Sequence, residues 1–156
     1  MIYLVDTNVL LRSIHTTDPM YSDARRAVAV LINQRHQLAV IGQNLIEFWA
    51  VATRPLANNG LALSIAVTAE HIEEFQQTFS RLPDTPDIFP RWQRLVERHE
   101  VSGRQVHDAR LVAAMLVHGV SHILTFNDRD FKRYTEITVV NPQDVISSEN
   151  ETKENP

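Results

Sequence analysis

Four acidic places stand where short apolar runs give way to polar sequence: Asp6, Glu47, Asp108, and the pair Asp128 and Asp130. Carboxylates that converge without matching lysines repel one another and are costly to ionise together. A hard divalent cation removes that conflict. Mg²⁺ and Mn²⁺ take oxygen ligands, retain waters and leave positions open for phosphate oxygens. Such an ion lowers the pKa of a bound water and clamps a phosphodiester during in-line attack. The chemistry open to this set is therefore metal-assisted phosphodiester hydrolysis. Each residue also has a plainer use. Asp6 with Thr7 and Asn8 can cap a helix, Glu47 can face solvent, and Asp108 gains from a helix dipole without any metal. Asp128 and Asp130 sit in a polar turn where solvation suffices. Only convergence would make them a site.

The elements around them predict that convergence. Residues 2–5 are a short, partly β-branched apolar run that reads as a buried strand ending at Asp6. A helix starts at Val9, Leu10 and Leu11, and a second spans residues 20–35. Residues 38–41 form another strand, after which Gln43 and Asn44 open the helix that carries Glu47 and stops near Arg54 and Pro55. Asn58, Asn59 and Gly60 are turn residues, and Ser64 caps the next helix. A short third strand is expected around residues 82–84. Phe89, Trp92, Leu95, Val96 and His99 mark one helical stripe, and residues 106–118 form a buried helix with Gly119 as its left-handed cap. Residues 121–125 and 137–140 are strands flanking a helical turn. Strands alternating with helices predict an α/β fold, a three-layer α/β/α sandwich with a central parallel sheet. Ligands of such sheets gather beyond the carboxyl ends of the strands. Residues 1–146 are expected to form one domain, and the wholly polar residues 147–156 a disordered tail.

Composition narrows the function. The 156 residues hold 15 Lys and Arg against 19 Asp and Glu, a net charge of −4, so general polyanion binding is excluded. Any nucleic acid must be met by a local basic rim, bound cations or a partner. The chain has no cysteine, which excludes a disulfide scaffold, a thiolate zinc site and a cysteine nucleophile. Its four glycines fit neither a P-loop nor a dinucleotide fingerprint. No apolar run approaches a membrane span, and Asp6 interrupts the apolar start, so a cytoplasmic protein without a signal peptide is expected.

Four stretches resemble the PIN domain family, above all the VapC-type toxins of type II toxin–antitoxin modules. They are YLVDTNVLLR at residues 3–12, NLIEFW at 44–49, HDARLVAA at 107–114 and LTFNDRDF at 124–131. The resemblance implies a Mg²⁺- or Mn²⁺-dependent endoribonuclease that cleaves RNA with a metal-activated water. It also implies a homodimer held inactive by a cognate antitoxin. By position, Asp6 and Asp108 would hold the metal directly, with Glu47 completing the acidic pocket. The family often has an acid where this chain has Asn127; Asp130 is the expected substitute, ahead of Asp128. Thr7, Asn8 and Thr125 would orient carboxylates or waters.

Arg12, Arg54, Arg110 and Arg129 flank these motifs and are candidates for RNA phosphate contacts. His107 reads as a bystander beside Asp108, and Trp49, Phe75, Phe79 and Trp92 read as core. Competing readings are a PIN fold that binds RNA without cleaving it, a receiver-like signalling domain with Asp84 as acceptor, and a phosphatase acting on small molecules.

Overall fold

Successive side chains of a strand point to opposite faces, and the first strand shows why this sheet is covered on both. In the computed structural model, which describes residues 1–154, β1 (Ile2–Val5) turns Tyr3 and Val5 to one apolar cluster and Leu4 to another. The next strand, β2 (Gln37–Ile41), does the same with Leu38 and Val40 against Ile41. One layer, on the Val5 side, contains α1 (Thr7–Ile14), α2 (Tyr21–Asn33), α3 (Gly42–Thr53), α4 (Ile65–Thr78) and α8 (Pro142–Glu154). The opposite layer contains α5 (Ile88–Arg98), α6 (Val106–His118) and the short α7 (Asp128–Phe131). This is the predicted α/β/α sandwich.

With β3 (Ser80–Leu82), β4 (His122–Leu124) and β5 (Thr138–Val140), the sheet runs in the order β3-β2-β1-β4-β5, all parallel. A receiver fold has the order 2-1-3-4-5, so the receiver-like reading is excluded by topology. The chain leaves β1 in one direction to build β2 and β3, and returns to its other side to build β4 and β5. The switch point therefore lies between the carboxyl ends of β1 and β4. Among the described residues no helix is long and apolar enough to cross a membrane.

Local signals account for most boundaries. Ser64 caps α4 by accepting from the Val67 amide, and Gly119 ends α6 at a φ of 68°. Two expectations need correction. The helix expected over residues 20–35 ends at Asn33, because Arg35 takes a left-handed φ of 62° while the His36 amide donates back to the Leu31 carbonyl. The disordered tail expected from residue 147 is helical through Glu154. Its start lies earlier, where Asn141 accepts from the Gln143 amide and Pro142 occupies the first helical position. Val145 anchors α8 in the core, and Arg26 of α2 reaches Glu149 at 3.2 Å and Asn150 at 2.7 Å. Asn155 and Pro156 lie outside the described residues.

The turn joining α3 to α4 folds so tightly that a Cβ on Gly60 would lie 1.9 Å from the Arg54 carbonyl oxygen. Gly60→Ala must push this turn away from the end of the Glu47 helix. We expect it to destabilise the protein by about 1–3 kcal/mol, read from the urea midpoint.

Candidate active site

Asp6 directly follows β1 and continues the sheet, its amide donating to the Leu124 carbonyl at 3.0 Å. Its carboxylate then caps α1: Oδ1 accepts from the Thr7 amide at 2.7 Å. Oδ2 accepts from Asn8 Nδ2 at 3.0 Å and from the Thr125 hydroxyl at 2.7 Å. Thr125 is fully buried just past β4, and its oxygen in turn accepts from the Asn8 amide group and the Asn127 backbone. Asn8 closes the circuit by accepting from the Phe126 amide at 3.2 Å. Asp6 thus caps α1 as expected, and the same carboxylate also binds the loop after β4. The loops after β1 and β4 are stitched together at the switch point.

Glu47 lies near the start of α3, held on both oxygens. Oε2 accepts from the Thr7 hydroxyl at 3.0 Å and Oε1 from Gln43 Nε2 at 2.8 Å. Asp108 sits in the first turn of α6, half-buried. Asp130 lies on α7 and accepts from the Asn127 side chain.

Electrostatics ties these carboxylates together. Burial pushes the Asp6 carboxyl up to about 6, with the Thr125 and Thr7 hydrogen bonds opposing the rise and Glu47 and Asp130 adding to it. Asp108 is pushed up to about 7, first by burial and then by the charges of Asp6, Asp130 and Glu47. The charges of Glu47 and Asp130 thus reach both Asp6 and Asp108 at one end of the sheet.

The PIN domain pattern matches residues 3–137, nearly the full span of this architecture. The chain belongs to the PIN domain family. Ribonuclease VapC48 of Mycobacterium tuberculosis is 26% identical over 139 residues, covering 88% of this chain and 94% of that relative. Among solved structures, VapBC-1 from nontypeable Haemophilus influenzae aligns with a TM-score of 0.69 at 15% identity, over 92% of this chain and 99% of that one. VapC20 of M. tuberculosis, a sarcin-ricin loop cleaving toxin, aligns with a TM-score of 0.64 at 15% identity, over 86% and 95%. At such identities the structures speak to the fold alone.

Within this PIN domain the other candidates separate. Asp128 is turned to Asn141, whose Nδ2 donates to it at 3.0 Å, whereas Asp130 acts on Asp6 and Asp108. Arg12 lies over the Phe126 ring at 4.5 Å and 3.9 Å from Asp18. Arg110 is bound to Asp84 at 2.8 Å and to Gln43 at 3.1 Å. Arg54 stands seven residues beyond Glu47, about 10 Å further along the α3 axis. Arg129 is exposed on α7 beside the acidic cluster. His107 is exposed and enters only through its carbonyl, which accepts from Gln43. Of the aromatics, Phe75 and Phe79 are buried, and the Trp92 indole donates to the Val106 carbonyl.

Sequence reasoning gave Gln43 and Asn44 only as the residues that open α3, with no part in the site. Asn44 is fully buried and accepts from the Ile41 amide at 3.0 Å, fixing the turn from β2 into α3. Gln43 stands four residues before Glu47, the spacing that puts two side chains on one helix face, and that was the available signal.

The donor chemistry suits a hard divalent cation. The set is oxygen-only, and Asp6 Oδ1 keeps an unused lone pair beside the Thr7 bond. Among the described residues no three His, Asp or Glu side chains already stand as a metal-holding group. What is present is charge without compensation, shown by the two raised carboxyls.

That strain has a sign. Both pKa values lie above the ordinary 3.8, so between about pH 4 and about pH 7 the metal-free fold binds more protons than the unfolded chain. Their contribution to stability is complete below that window and is lost as pH rises through it. Metal-free Asp108→Asn should therefore gain stability relative to the wild type from about pH 4 to about pH 7 and level off above. Calorimetric Tm differences measured across pH check this; a flat difference would contradict it.

Proposed function

We propose that this PIN domain is a Mg²⁺- or Mn²⁺-dependent endoribonuclease, the toxin component of a type II toxin–antitoxin module. The observation that carries the reading is the gathering of four carboxylates at the sheet's switch point, where burial and neighbouring like charges raise both Asp6 and Asp108. Similarity to a ribonuclease over most of both chains supports it. Asp6 and Asp108 hold the ion, and Glu47 and Asp130 complete the acidic pocket. Thr7, Asn8 and Thr125 keep the Asp6 and Glu47 oxygens aimed, and Asn127 orients Asp130. When bound, the ion supplies an acidified water and offsets charge on the scissile phosphate. Arg129, exposed beside the pocket, meets the RNA backbone.

Two protein partners belong to the same reading. A groove of about 440 Å³ between α1, α2 and α4, lined by Val9, Leu10, Val28 and Phe79 and edged by Arg25, suits an apolar antitoxin segment. Solved neighbours include toxin–antitoxin complexes such as VapBC2 from Rickettsia felis. Ile46, Leu56 and Ile65, each more than 60% exposed, suit a second copy of the chain. The neutral Asn127 favours one competitor, a PIN fold that binds RNA without cutting it.

Cleavage of a structured RNA in Mg²⁺ or Mn²⁺ decides between them. The wild type should cut RNA but not a phosphomonoester, and EDTA should abolish cutting. Asp6→Asn and Asp108→Asn should each lower the rate at least about 100-fold, and Asp128→Asn should change it by no more than about threefold. Undiminished cleavage by Asp108→Asn would sink the assignment.

A further inference from the structure

The two helices that carry Glu47 and Asp108 are joined by a single side-chain amide. Gln43 Nε2 donates to Glu47 Oε1 at 2.8 Å and also to the His107 carbonyl at 2.8 Å. His107 directly precedes Asp108, so this second bond holds the first turn of α6 against the first turn of α3. Gln43 Oε1 accepts from Arg110 Nη1 at 3.1 Å, and Arg110 is pinned by Asp84 at 2.8 Å. Asp84 in turn lies so near the start of α3 that a Cβ on Gly42 would meet it at 3.2 Å.

The orientation of this amide is not arbitrary. Arginine can only donate, so the Gln43 oxygen must face Arg110. Its NH₂ group is then left facing a carboxylate and a carbonyl, which can only accept. Every donor and acceptor of the amide is matched, and no flipped arrangement would be. A residue that offered only acceptors here would repel both Glu47 and the His107 carbonyl.

We propose that Gln43 is a positioning residue that sets the separation of the Glu47 and Asp108 carboxylates for a divalent ion, with Arg110 fixing its orientation. The proposal rests on the nuclease reading above. It predicts a loss that packing alone would not produce. Gln43→Met keeps the side-chain length without donors or acceptors, and Gln43→Glu keeps the acceptor for Arg110 while removing both donations. Mn²⁺ binding to the full-length protein by calorimetric titration, and RNA cleavage over a range of Mn²⁺ and RNA, are the two measurements.

Both variants should bind Mn²⁺ about 10- to 100-fold more weakly than wild type. Each should lower kcat by a similar factor and leave KM for RNA within about twofold. Gln43→Glu should be no better than Gln43→Met. If both variants bind Mn²⁺ within about twofold of wild type, the proposal is overturned, and a lower Tm alone would then mark a purely structural amide. A wild type that binds no Mn²⁺ overturns it too. A wild type that binds Mn²⁺ but cuts no RNA defeats the nuclease reading alone, because the titration still decides the role of Gln43.

Discussion

The architecture of this site depends on one repulsion. Four carboxylates from four separate stretches of chain are brought to one end of a parallel sheet, and among the described residues no lysine pairs with any of them. Asp6 follows β1, Glu47 is near the start of α3, Asp108 is in the first turn of α6, and Asp130 lies on α7. A fold can hold such a group only if other contacts are strong enough to keep the ends of these elements in place. The sheet supplies those contacts through two apolar layers, and the hydroxyl and amide side chains of Thr7, Asn8, Thr125 and Gln43 fasten the ends locally.

The global charge is a poor guide to what such a protein meets. An excess of four acids argues against nucleic-acid binding when averaged over the surface. Part of that excess is concentrated where a divalent ion would reverse the local sign and draw phosphate oxygens in. Meanwhile two arginines near the motifs are already engaged, Arg12 with Phe126 and Asp18, and Arg110 with Asp84 and Gln43. Arginine near a motif in sequence therefore says little about phosphate contact until its partners are known.

What could be read from the sequence follows from the range of the forces involved. Asp6 after an apolar run, Ser64 before a helix and Gly119 after one are local signals, acting over a few residues, and the structure contains all three boundaries. The edge strand β3 has only three residues and owes its register to Ala39, Val40 and Ile41 of β2, some 40 positions earlier. It was expected slightly late, at the prolines that end it. The end of α2 at Asn33 was missed because Arg35, not glycine, takes the left-handed turn. α8 was missed because its polar residues need no apolar stripe once Val145 and Arg26 hold the helix to α2. The role of Gln43 is the clearest case: its partners His107 and Arg110 lie 64 and 67 residues away, and only the packed fold brings α3 and α6 together.

The two raised carboxyls are not equivalent, and the difference bears on how the site divides its work. Asp6 is only 6% exposed while Asp108 is half-buried, so burial alone would raise Asp6 further. Both carboxyls are raised, to about 6 and about 7, but by different balances of causes. The reason lies in the donors: Asp6 receives bonds from Thr7, Asn8 and Thr125, which favour its charged form. Asp108 has burial and three like charges acting on it in the same direction. Asp6 is thus the member whose carboxylate is held in place by donors. Asp108 is the member raised by burial and like charges together, and it sits on the helix whose first turn Gln43 holds against α3. The Gln43 amide that bonds Glu47 also bonds the carbonyl preceding Asp108, so one side chain ties the two helices that carry these carboxylates.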